Sequence, residues 1–125
     1  MTAANGTAVN LSVECWINAG PQTTVADATI VSQGLFGNND AFVLACNANG
    51  NSSTRYLRFY CRTAGGVVST CTSTVIPSGS WEHLVGVCNE SAGTVLLYIN
   101  GVQAATTTIA VNSERLLGAP GGGMQ

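Results

Sequence analysis

Residues 81–103 read WEHLVGVCNESAGTVLLYINGVQ. In the first apolar run, 81–88, Trp81, His83 and Val85 alternate with Glu82 and Leu84, and a period of two is the side-chain period of a strand. A second run, 94–100, ends in Asn100-Gly101. Both central residues of a type I′ turn need positive φ, and Asn and Gly adopt it at the least steric cost. The stretch therefore reads as strand, turn, strand and tight hairpin, with 101–111 as the return strand. The crowding of Trp81, Glu82, His83 and Cys88 is not a catalytic cluster on this reading. Glu82 is adjacent to His83 in a strand, so it points to the opposite face and cannot serve as its acid-base partner.

The same alternation runs outward from this segment. NLSVECWIN, 10–18, puts Leu11, Val13, Cys15 and Ile17 on one face and Ser12, Glu14, Trp16 and Asn18 on the other. AFVLACN turns Phe42, Leu44 and Cys46 inward, and RYLRFYCRT sets Leu57, Phe59 and Cys61 against Tyr56, Arg58, Tyr60 and Arg62. Gly50 with its Asn and Ser neighbours marks the turn between them, and Gly65-Gly66 marks the turn into the β-branched run VVSTCTSTV. A meander is the simplest connection. Strand patterns every ten to fifteen residues, with no helical stretch between them, predict an all-β antiparallel sandwich or jelly roll.

Composition agrees and excludes several functions. At 125 residues the chain holds one domain. Residues 1–118 are expected to form it, and the Gly-rich 119–125 to be a flexible tail. Apolar residues make up 46% and charged ones only 8%, which suits strands and turns over charged amphipathic helices. Six acids face four arginines and there is no lysine, so no basic field exists to draw nucleic acid. No apolar run reaches membrane-spanning length, and Met1 is not followed by an export signal.

The ordered segments NLSVECWIN, TIVSQG, AFVLACNANG with RYLRFY, VIPSGSWEHLVGV and GTVLLYINGVQAATTT resemble the laminin G-like, or concanavalin A-like, jelly-roll superfamily, and pentraxins more distantly. The Trp-x-His strand followed by Tyr-Ile-Asn-Gly is the most specific part, and the likeness covers 10–118. The resemblance implies two departures. The family's opening strand and its closing strands find no counterpart, so the sandwich is expected to be incomplete at both ends. Strands left with unpaired edges invite pairing by copies of the chain or by a longer parent chain. Pentraxins also join the first strand to the Trp-x-His strand by a disulfide; the matching positions here are Glu14 and Val85, so that bridge is absent.

Catalytic members of the superfamily carry Glu-x-Asp-x-(x)-Glu on one strand, two carboxylates flanking a glycosidic bond. Glu14, Asp27, Asp40, Glu82, Glu90 and Glu114 are scattered singly, so no enzyme activity is expected. The resemblance favours a non-catalytic module that recognises glycan or protein outside the cell or at its surface. The alternative is a structural subunit or decoration domain of a surface fibre, sheath or virus particle, and a remote glycoside hydrolase stands third.

Three groups of residues are candidates for contact. Trp16, Trp81 and His83 form the first: either a platform on which sugar C–H faces stack, or rings packed under loops as architecture. The second, Tyr56, Arg58, Tyr60 and Arg62, is either a partner-contact stripe or an ordinary solvated face. The third is Asp40 with Asn38 and Asp27, the best place for Ca²⁺, although an Asx-rich turn also explains these residues.

Cysteines 15, 46, 61, 71 and 88 show no C-x-x-C and no His at ligand spacing, which disfavours zinc. Cys15, Cys46 and Cys61 fall on the apolar faces of their strands, where a free Cys behaves as a small hydrophobe, so buried thiols are the leading reading. Cys61 and Cys71 become cross-strand neighbours if the Gly65-Gly66 loop holds three residues; with two, Cys61 opposes Thr70. Free thiols point to a reducing compartment or a virion-type assembly, whereas the superfamily and the Thr-rich surface point outside the cell.

Overall fold

The computed structural model describes residues 10–20, 28–33, 40–48, 55–63 and 65–111. They form eight strands: β1 (Asn10–Asn18), β2 (Ala28–Gln33), β3 (Phe42–Ala48), β4 (Arg55–Arg62), β5 (Val68–Thr72), β6 (Trp81–Asn89), β7 (Thr94–Ile99) and β8 (Val102–Thr108). Gly50, Asn38, Asp27 and the Gly-rich 119–125 lie outside the described residues.

Two four-stranded antiparallel sheets, ordered β1-β6-β7-β8 and β2-β3-β4-β5, make a β-sandwich of jelly-roll type. The expected meander holds only within pieces, β2 to β5 and β6 to β8. The chain changes layer after β1 and again after β5, because each strand has one apolar face that must meet the opposite sheet.

Alternation decides which side chains meet. Leu44 of β3, Leu57, Phe59 and Cys61 of β4, Cys71 of β5, Leu84 and Cys88 of β6, and Val95, Leu97 and Ile99 of β7 fill one core. Leu11, Val13, Cys15 and Ile17 of β1 pack against it from the border. Burying an aliphatic side chain of this kind stabilises the fold by about 1.5–3 kcal/mol. The Phe42 and Phe59 rings lie 6.3 Å apart at 43°, within the tilted range that aromatic pairs favour.

The Asn100-Gly101 turn forms as its sequence requires: φ is 52° at Asn100 and 79° at Gly101, and Ile99 pairs with Val102. One residue is extra on the return strand, since Leu97 faces Ala105 while Tyr98 faces Gln103, leaving Ala104 in a bulge.

Two expectations need correction. The run read as a strand over 67–75 yields a strand only at Val68–Thr72. The Ser73 hydroxyl accepts from the Val75 amide and donates to the Val75 carbonyl, and such local bonds compete with the ladder. The Cys61–Cys71 bridge is absent. The turn sits earlier along the chain than a Cys61–Cys71 pair needs: the Thr63 amide donates to the Val67 carbonyl and Arg62 stands opposite Val68, so Cys61 faces Ser69 and Cys71 faces Phe59. None of the five cysteines forms a disulfide.

Candidate functional site

The site is built on the outer face of the β1-β6-β7-β8 sheet. β1 and β6 pair so that Asn18 faces Trp81, Trp16 faces His83 and Glu14 faces Val85. β7 continues these rows by placing Tyr98 beside Val85, and β8 adds Gln103 beside Tyr98. Because successive side chains alternate, Trp16, Trp81, His83 and Glu14 share this face while Cys15, Leu84 and Gly86 turn inward. Glu82 also turns inward and is 6% exposed, opposite in direction to His83 as the strand reading requires.

Trp16 and Trp81 are each 65% exposed. An exposed large aromatic is the less common condition of tryptophan, and here two stand on one sheet face. The Trp16 indole lies beside the His83 ring, centroids 4.9 Å apart and planes tilted by 32°. His83 Nε2 lies 3.1 Å from Glu14 Oε2, and since a carboxylate only accepts, Nε2–H is the donor. The His83 backbone is fixed as well: its amide donates to Asn100 Oδ1 at 2.9 Å, and its carbonyl accepts from the Asn100 amide at 2.8 Å. The hairpin that closes β7 onto β8 therefore also holds the middle of the aromatic cluster.

Glu14 and Asn100 enter this site although neither was singled out for it in the sequence. The signal for Glu14 was present, since alternation puts it two residues from Trp16 on the same face. Asn100 served in the sequence only as a turn former, and nothing local shows that its side chain reaches His83, 17 residues away.

The Tyr-Arg stripe on β4 is drawn largely into internal packing. Tyr60 is buried beside Val43 and Ala45, and its hydroxyl donates to Asp40 Oδ2. Arg62 Nε donates to Asp40 Oδ1 at 2.6 Å. The Arg58 guanidinium stands 5.6 Å from the centre of the Tyr60 ring, close enough for cation–π attraction. Tyr56 is half-buried.

The same geometry bears on Ca²⁺. Asp40 has no exposure, and its two oxygens are bonded by a guanidinium and a phenol, so the donor set there does not fit a divalent cation. The other two residues of that expectation, Asn38 and Asp27, lie outside the described residues. Among the described residues no three His, Cys, Asp or Glu side chains converge as metal ligands.

A shallow groove of about 230 Å³ opens at the other end of the β1–β6 pair, between Asn10, Leu11, Ser12, Val87, Cys88 and Asn89. Asn10 is tied there to Ser91, donating to its Oγ and accepting from its amide.

Comparison with known proteins places these features in a wider group. The family model described as the concanavalin A-like lectin/glucanases superfamily matches residues 2–120. Among solved structures, the chain is similar to the native heptameric SAP-like pentraxin from Limulus polyphemus, with a TM-score of 0.60 at 17% identity. That match covers 92% of this chain and 49% of the pentraxin, so the chain spans about half its length. No functionally curated protein matches in sequence.

Proposed function

The chain belongs to the concanavalin A-like lectin/glucanase superfamily, and from that premise we propose that it is a non-catalytic glycan-recognition module whose contact face carries Trp16, Trp81 and His83. The observation behind this is the exposure of both indoles on one sheet face, with His83 held between Trp16, Glu14 and Asn100. Aromatic rings supply flat apolar surface for sugar C–H groups, while Glu14, Asn18, Asn100 and Gln103 around them offer acceptors and donors for hydroxyls.

The arrangement favours binding over hydrolysis. Glycoside hydrolysis needs two carboxyl groups flanking the scissile bond, about 5–5.5 Å apart for retention or 6.5–9.5 Å for inversion. Among the described residues Glu14 is the exposed carboxylate, and Asp40, Glu82 and Glu90 are buried. Such a module acts outside the cell or at a surface, as laminin G-like domains generally do. No described helix is long and apolar enough to cross a membrane.

An array of neutral and charged oligosaccharides tests the proposal, with isothermal titration of any hit against Trp16→Ala and Trp81→Ala. The expected result is binding that falls at least tenfold in each variant. Glycan binding that survives both substitutions, or hydrolysis of a bound oligosaccharide, would count against it.

A further inference from the structure

The charge on the tryptophan face carries the reading one step further, to the class of sugar it takes. Glu14 extends from β1 beside Trp16, and its side chain is 72% exposed. His83 Nε2 is already engaged by Glu14. The described arginines, Arg55, Arg58 and Arg62, all belong to β4 in the other sheet, and the chain contains no lysine. Arg62 is bound to Asp40 and Arg58 lies over Tyr60. Sulfate and carboxylate groups are held by cationic donors, Arg above all. The described part of this face offers none, and an acidic sugar seated on Trp16 would meet the Glu14 carboxylate instead.

Resting on the glycan-platform reading, we infer that the face selects by charge: it takes neutral sugars, gains affinity for sugars bearing an amine, and binds sulfated or carboxylated ones more weakly, with Glu14 as the discriminating residue. The contact is solvent-exposed, so the gain for an amine is about two- to five-fold, the size of an exposed ion pair, and salt screens it.

The experiment holds the sugar backbone constant. Neutral hexose and N-acetylhexosamine hexasaccharides are each titrated at pH 7 and low ionic strength in three forms: unmodified, 6-amino-6-deoxy and 6-O-sulfated. Expected are a two- to five-fold advantage for the amine over the unmodified chain and a loss of about the same size, two- to five-fold, for the sulfated one. The amine advantage disappears in Glu14→Gln and in 0.5 M salt. Sulfated chains binding as tightly as neutral ones, or an amine advantage unchanged in Glu14→Gln, overturn charge selection while leaving the platform standing. Failure of all three forms to bind, or binding indifferent to Trp16→Ala and Trp81→Ala, overturns both.

Discussion

Phe59 of β4 packs its ring onto Gly86 of β6: a Cβ added to Gly86 would stand 2.5 Å from Cδ2, 2.6 Å from Cε2 and 2.7 Å from Cγ of that ring. Gly86 occupies an inward position between Leu84 and Cys88. The two sheets thus fit at this point by pairing the largest fully buried side chain among the described residues with the absence of one. Side chains of equal size on both strands would hold the layers apart, and close packing of the neighbouring Leu57 and Leu97 would be lost.

Gly86→Ala should therefore destabilise the protein by about 1–3 kcal/mol through overpacking, seen as a lower urea midpoint. Phe59→Leu costs about 1 kcal/mol by itself and relieves the clash. The double variant should then be more stable than the sum of the two losses requires, with a coupling of about 0.5–3 kcal/mol. Strict additivity would show that the ring can move aside freely.

Much of this fold was legible because strand alternation is a local property. Asn10–Asn18 stands where its pattern put it, and the inferred correspondence of Glu14 with Val85 is a true cross-strand pair. The hairpin at Asn100-Gly101 was equally readable, since its turn chemistry sits in two residues. Other features depend on partners far away in sequence. The Gly86–Phe59 contact, the Asp40–Tyr60–Arg62 network and the Asn100–His83 bond each join residues whose meeting is fixed by how the sheets stack. The register of β4 against β5 was unreadable because it depends on a loop length that Gly65-Gly66 alone does not set.

Loss of the Asp40 carboxylate should be the costliest polar change in the molecule. Asp40→Ala takes away the carboxylate to which both the Arg62 guanidinium and the buried Tyr60 hydroxyl donate. Removing one partner of a buried ion pair costs about 3–5 kcal/mol, and the low end applies because Arg62 keeps 14% side-chain exposure. Tyr60→Phe removes the phenol's bond to Asp40 and leaves the Arg62 pair in place, so it should cost about half as much. Equal, small losses in the two variants would mean that the network is well hydrated.

Alkaline pH should destabilise the protein. Burial pushes the Cys71 thiol up from 9.0 to about 11, and burial with the Asp40 bond holds the Tyr60 phenol well above its ordinary 10.0. In the unfolded chain both groups lose their protons first. Stability is therefore full below about pH 9 and falls as pH rises through 9 to 11 and beyond. Cys71 accounts for a loss on the order of 2–3 kcal/mol at 1.4 kcal/mol per pKa unit. Urea midpoints from pH 7 to 11 should drop steeply in the native sequence and less so in Cys71→Ala. A flat profile would count against the burial of these groups.

Reductant should leave stability unchanged, because none of the five cysteines forms a disulfide. Alkylation in denaturant without reductant should add five groups per chain by mass. In native buffer Cys46, Cys61, Cys71 and Cys88 should react slowly, being buried, and Cys15 sooner. Three additions in denaturant would reveal a disulfide and refute this arrangement.

Whether the tryptophans serve contact or architecture can be decided from stability alone, without any ligand. A ring that supports the fold is buried, and truncating it to Ala costs about 3–5 kcal/mol. Trp16 and Trp81 instead expose 65% of their surface, and Trp16 rests against the His83 ring. Surface substitutions of this kind shift stability little, so Trp16→Ala and Trp81→Ala should each lower it by no more than about 1 kcal/mol in urea unfolding. His83→Ala should cost slightly more than either, since it also releases Glu14. A loss above about 3 kcal/mol in either tryptophan variant would identify the ring as a structural element and remove the reason for placing a binding face there.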